Sequence, residues 1–257
     1  MHIYYEIEAR LLDEKGTLLP GAMDFQKRYQ QFRPVPGNFV FSDKGAARDA
    51  LSELEALRLD GKRLYRIEVD ESEIESHPAF YLGIEAVMDL LSEKHLNLKY
   101  PTSADIAVDY ASDTIVASNR VRHLLTMLGA KVDFRQIAST RFGDRVAMTV
   151  TTRLPDPLDI PVPVEIGSYE DEPELSSLRS DGRDIISAGN IAVVGGAGIA
   201  ISDRFRSNGH DLRYKERIIA SGTVMNALRG ACVSGLLTPV VPLITEEQYR
   251  ALDDLER

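Results

Sequence analysis

Two stretches of this chain carry the same pattern, and that pattern restricts the fold more than any other feature. "TIVASNRVRHLL" occupies residues 114–125 and "RIIASGTVMNAL" occupies residues 217–228. Residues 115–137 and 218–240 align without a gap. Ile115, Ala117, Ser118, Val121 and Leu125 meet Ile218, Ala220, Ser221, Val224 and Leu228 as identities. Each copy reads as a short apolar strand, a serine, and apolar residues at helical spacing. The serine can accept hydrogen bonds from the free N–H groups of a first helical turn. Val121, Leu124, Leu125 and Leu128 then offer one stripe to a sheet, as do Val224, Ala227, Leu228 and Ala231. A second apolar segment closes each copy. The expectation is a duplicated strand–helix–strand unit, the alternative being two convergent amphipathic helices. It places the chain in the α/β or α+β class, with a mixed sheet and amphipathic helices.

The N-terminal part, residues 1–98, reads as a separate β-α-β-like region. "HIYYEIEA" alternates apolar and polar residues as a strand does. In "NFVFSDKGAARDALSELEAL", Phe39–Phe41 predict a strand and Ser42 an N-cap. Ala46, Ala47, Ala50, Leu51, Leu54 and Leu57 make a helical stripe, and "RLYRIEVD" is a second strand. "YLGIEAVMDLLSEKHL" predicts a helix with Ile84, Val87, Met88 and Leu91 on one face. Residues 99–257 form the C-terminal part. Its two related units are joined through residues 153–184, which hold five prolines and nine acids against three arginines. That composition predicts an extended, exposed connection, since proline is unfit for a helix interior or a central strand.

Composition excludes several classes. The chain has 257 residues, 44% hydrophobic and 27% charged, as a globular protein does. No apolar run reaches membrane-spanning length, and the N-terminus lacks the basic and apolar regions of a signal peptide. One cysteine, Cys232, rules out an intrachain disulfide, so a cytoplasmic location is expected. The net charge of −10 repels phosphate backbones and speaks against a nucleic-acid partner. The same charge attracts a basic protein.

Catalytic signatures do not assemble. "NIAVVGGAGIAIS" has Gly196 and Gly198, but Ile201 stands where a dinucleotide fingerprint wants its third glycine. It predicts a β-hairpin turning through "GGAG". The five histidines form no metal-ligand spacing, so neither metal nor cofactor is expected. Ser234 lacks the glycines of a nucleophile elbow. Cys232, in "ALRGACVSGLL", reads as a buried small hydrophobe. If the protein is an enzyme, His210 beside Asp211, after the Asn208-Gly209 turn, is the candidate acid–base pair.

Two resemblances bear on function. "IIASGTVMNALRGACVSGLLTPVVPL", residues 218–243, resembles the closing segment of a family of bacterial polymorphic-toxin immunity proteins. Ser221, Val224, Leu228, Gly235, Leu236 and Pro239 fill its pattern, and "NGHDLR" resembles the polar segment before it. The tryptophan usual near that unit is missing here. The resemblance implies a protein that performs no chemistry and neutralises a toxin by binding it. Asp156, Asp159, Glu165, Glu170, Asp171, Glu172 and Glu174 are the candidate contact acids for a basic toxin domain. Residues 38–70 are similar to the strand, helix and strand of ADP-ribosyltransferase-like domains, the enzyme alternative. A regulatory or scaffold subunit, or a homodimer formed through sheet edges, is the third reading.

Overall fold

The computed structural model describes residues 2–9, 11, 17, 19–29, 38–59, 63–92, 94–96, 104–109, 111–137, 145–159, 165–169, 172–178, 184–207, 210–237 and 240–254. The chain begins with β1 (His2–Glu8), α1 (Ala22–Tyr29), β2 (Asn38–Phe41), α2 (Lys44–Ala56), β3 (Arg63–Val69) and α3 (Glu71–Ser76). Short strands β4 (Ala79–Tyr81), β5 (Val87–Asp89), β6 (Lys94–His95) and β7 (Ile106–Asp109) follow. Next come β8 (Ile115–Ser118), α4 (Asn119–Met127), β9 (Val132–Gln136) and β10 (Arg145–Val150). β11 (Leu158–Asp159), β12 (Glu165–Tyr169), β13 (Glu172–Leu178) and β14 (Ile185–Ile186) lead into α5 (Ala188–Ala197). The chain ends with β15 (Ile199–Ser207), β16 (His210–Ser221), α6 (Gly222–Gly230), β17 (Ile244–Thr245) and α7 (Glu246–Asp254).

The protein is α+β, with three sheets among the described residues. In the first, β1 pairs antiparallel with both β2 and β3, so β2 and β3 run parallel with α2 crossing between them. Alternation along β1 decides what each face buries. Ile7 joins Phe25, Phe39, Ala47, Ala50 and Leu54 beneath α1 and α2, whereas Tyr4 and Tyr65 turn to the main core. The stripe expected on α2 is buried at Ala47, Ala50 and Leu54 and half-buried at Leu51 and Leu57, whereas Ala46 is exposed. The cap of α2 is Asp43, which accepts from the Ala46 amide at 2.8 Å; Ser42, expected as the cap, lies one residue outside.

The acidic segment departs from expectation. Within residues 153–184, β12 and β13 pair antiparallel, and β13 runs parallel to β3 in the order β12-β13-β3-β1-β2. The segment therefore extends the N-terminal sheet. Pro173 is tolerated in β13 because the pairing with β3 spans Leu175–Ser177, where no missing N–H is needed. Strand membership also crosses the 98/99 division, since β4 joins the third sheet and β5 and β6 join the second.

The second sheet has the order β6-β5-β7-β8-β10-β9 and the third β17-β14-β11-β15-β16-β4. Val121 and Leu125 of α4, Val194 of α5, and Val224 and Leu228 of α6 share one core with Val146, Ile199 and Ile219 of the two sheets. Of the stretch 81–96, expected as a helix, the described residues are instead extended strands and turns. Ile84, Val87 and Met88 are buried, but Leu91 is 89% exposed. The backbone here is claimed by neighbours: the Glu85 amide bonds to the Gly235 carbonyl and the Leu82 amide to that of Ile218.

A strand, a capping serine and a helix recur three times among the described residues. Ser118 and Ser221 cap α4 and α6, accepting from the Val121 and Val224 amides at 3.3 Å each. Ser187 does the same for α5, accepting from Asn190 at 3.2 Å. Eleven residues after each serine the backbone turns left-handed, at Gly129 (φ 68°), Gly198 (φ 76°) and Cys232 (φ 50°). Such a residue satisfies the last carbonyls and redirects the chain. α5 thus replaces the hairpin expected over residues 190–202; Gly195 and Gly196 lie in its last turn with open space where a side chain would go. The units close differently. β9 and β15 follow α4 and α5, but after α6 Leu236 makes a single bridge to Ile84.

Candidate functional site

Charge inside the core identifies the first cluster. Arg217 lies mid-strand in β16, 3% exposed, and Asp184 precedes β14, 4% exposed. The guanidinium forms an ion pair with the Asp184 carboxylate and donates to the Tyr81 hydroxyl at 2.5 Å. The Tyr81 hydroxyl in turn donates to Asp184. Arg217 also lies over the Phe205 ring, 4.0 Å from its centroid. A buried charge is tolerable only when paired and hydrogen-bonded in this way. The cluster braces β4, β14 and β16 together. Sealed from solvent, it offers no access to a substrate.

A second cluster is open. Arg153 follows β10 and bridges to β15 at Ile201. Its guanidinium pairs with Asp203 at 3.0 Å and Glu216 at 2.5 Å, clamping the second sheet to the third. Beside it is a cleft of about 290 Å³ with Asp113, Arg135, Thr149 and Ile218 in its walls. Charges of both signs line it, so it favours neither a purely anionic nor a purely cationic ligand. A wider groove of about 610 Å³ runs between α5 and α7, with Ile186 and Ile191 on its floor and Glu246, Glu247 and Arg250 at its rim. α7 is held there by a capping box: Gln248 accepts from the Thr245 amide at 2.9 Å, and its own amide donates to Thr245 Oγ1 at 3.1 Å. His77, 4% exposed, meets the same Gln248 Oε1 at 3.2 Å.

Asp105 organises the start of α4. Burial pushes its carboxyl up, but bonds from the Ser234 amide (3.0 Å) and hydroxyl (2.9 Å) and the Ser118 hydroxyl (3.0 Å), with Arg120 nearby, outweigh it. The carboxyl is held below its ordinary range. Arg145, 8% exposed, lies in the field of the same carboxylate, and its Nη1 has no hydrogen-bond partner among the described residues. Ser234 is therefore a structural ligand of Asp105. Cys232, expected buried, is exposed, because the left-handed turn carries it outward.

The seven contact acids do not form one surface. Asp156 sits at the N-terminus of α5, accepting from the Ser187 hydroxyl at 3.4 Å, and its amide bonds to Asn190 Oδ1 at 3.2 Å. Asp159, on β11, pairs with Arg206 at 3.6 Å. Asp159 thus belongs to the third sheet, and Asp156 lies in the bend just before β11. Glu165, Glu172 and Glu174 are strand positions of the β12–β13 hairpin on the first sheet. Glu170 and Asp171 lie outside the described residues. His210 and Asp211 open β16 and pair in register with Ser207 and Arg206, at the far end of the long β15–β16 ribbon from Arg217. The Arg217–Asp184–Tyr81 cluster was not among the residues the sequence singled out. Its signal was there: one arginine and one aspartate each abutting an apolar run, in "ERIIAS" and "RDIIS".

Among the described residues no group of three His, Cys, Asp or Glu could hold a metal ion, and no helix is long and apolar enough to cross a membrane. No family model matches the chain, and neither a curated protein nor a solved structure matches it.

Proposed function

We propose that this protein is a non-catalytic immunity-type protein of the bacterial cytoplasm that neutralises a basic toxin domain by binding it. The observation that supports this reading is the placement of the acidic segment. Its strands are built onto the end of the first sheet, with β12 as the edge. Glu165, Glu172 and Glu174 thereby occupy strand positions on a packed sheet, with Glu170 and Asp171 between the two strands in sequence. Acids carried on a paired backbone leave less chain to be ordered on binding than acids on a loose connection. Beside them the outer side of β12 offers backbone groups to an added strand. Such a surface speeds association with a basic partner in a salt-dependent way.

The test is co-purification of tagged protein from its source cells in low and high salt, followed by a protection assay with the captured toxin domain. Reversing Glu165, Glu172 and Glu174 together should slow association by roughly tenfold or more at low salt and leave melting unchanged. Association rates untouched by the reversal would remove this hairpin as the contact surface.

A further inference from the structure

β9 stands at one end of the second sheet, with β10 on one side and no described strand on the other. Among the described residues, Asp133–Gln136 make no backbone hydrogen bond outside the β9–β10 pair. A row of free N–H and C=O groups is a template for another strand. Val132 and Phe134 pack against the main core and hold the strand in place, while Asp133 and Arg135 are exposed. Neither Asp133 nor Arg135 is in an ion pair with a described residue. Such edges are often blunted by charged side chains, lysine above all, which repel a second copy when they carry one sign. Here the two signs alternate about a central aromatic, in "VDFRQ".

We propose that β9 is a self-association edge, pairing antiparallel with β9 of a second copy about a twofold axis through Phe134. In that register Asp133 stands opposite Arg135 of the second copy, and Arg135 opposite its Asp133. Residues directly opposite in an antiparallel pair share a face at about 5 Å between Cβ atoms, close enough for both ion pairs. Val132 meets Gln136, and no like charges face each other within the strand. A segment complementary to its own reversal fits the isologous geometry of a twofold dimer, in which one patch meets itself. That is the argument for a second copy as the occupant. The edge belongs to a different sheet from the acidic hairpin and stands independently of the immunity reading.

Sedimentation velocity over a dilution series of the full chain tests this. Wild type should show a monomer–dimer equilibrium. Arg135→Asp places carboxylates opposite carboxylates at both pairs, and Asp133→Arg places guanidiniums opposite guanidiniums. Each should weaken the dimer by roughly tenfold or more. Because both side chains are exposed, circular dichroism and melting should not change. An equimolar mixture of the two variants should recover the dimer as a heterodimer, since each chain then supplies the charge the other lacks. Reversing Glu165, Glu172 and Glu174 should leave the dimer intact. A wild type that stays monomeric up to about 0.1 mM would overturn the proposal and leave the edge to a foreign strand. So would a dimer indifferent to both variants, or a mixture that fails to recover.

Discussion

Asp184→Ala strips the carboxylate from a guanidinium that is 3% exposed, and the consequence can be worked from the geometry. Removing one partner of a buried pair costs about 3–5 kcal/mol, since the remaining charge is neither solvated nor matched. The Phe205 face, 4.0 Å away, and the Tyr81 hydroxyl stay and offset part of this. A cation–π contact of this kind is worth about 0.5–2 kcal/mol. The net loss should be about 3 kcal/mol. In a chain of this size that lowers Tm by roughly 6–12 °C. Tyr81→Phe, which removes one hydroxyl, should cost only about 1 kcal/mol. The decisive comparison is the double variant Asp184→Leu with Arg217→Met. It removes both charges and keeps the volume apolar, so it should be more stable than Asp184→Ala alone. Urea unfolding followed by circular dichroism gives these values, with Asp184→Leu and Arg217→Met measured singly beside the double. A single variant costing under about 1 kcal/mol, or a double variant costing the sum of both singles, would refute the claim that the penalty is an orphaned charge.

Other outcomes follow from the same structure. Ser118→Ala, Ser187→Ala and Ser221→Ala should each cost about 0.5–2 kcal/mol by thermal unfolding, with Asp restoring most of it. Cys232→Gly should stabilise by about 0.5–1 kcal/mol, because the left-handed backbone there is strained for a side chain, whereas Cys232→Ala should not. Gly235→Ala should destabilise strongly, about 3 kcal/mol or more in urea unfolding, since its Cβ would collide with the Ile106 carbonyl at φ 95°. Asp105 titrates below its ordinary value in the fold, so its contribution is present above the unfolded value near about 4 and is lost as pH falls through the folded one. The stability gap between wild type and Asp105→Asn should therefore be widest at neutral pH and shrink below pH of about 4.

What could be read in advance was local chemistry; what could not was decided at a distance. The stripe of α2 and the caps Ser118 and Ser221 follow from spacing within a single turn. α5 escaped because "AGNIAVVGGA" carries apolar residues all round, as a core helix does, so no face stands out, and its glycine pair resembles a hairpin turn. Residues 81–96 carry the spacing of a helix, yet Gly83 presses its backbone against Leu237, a contact over one hundred and fifty residues away in sequence. The acidic contacts divided for a similar reason. Asp156 and Asp159 lie a few residues before Glu165, but a sheet boundary falls between them. Arg217 finds Asp184 and Tyr81 only through the strand order of the third sheet.

The interleaving of strands carries a consequence for biosynthesis. β4 ends at Tyr81, and β16, the neighbour it pairs with, does not begin until His210. At a synthesis rate of about 5–20 residues per second, β4 waits roughly 6–26 s for that strand to emerge from the ribosome. β3 likewise keeps one flank bare until β13 has been translated. The first sheet cannot close before Leu178 has emerged, nor the third before Thr245, so ribosome-associated chaperones would meet this protein as a set of half-built sheets, and truncation near residue 200 would leave β4, β11 and β14 of the third sheet each short of a neighbour rather than one missing tail.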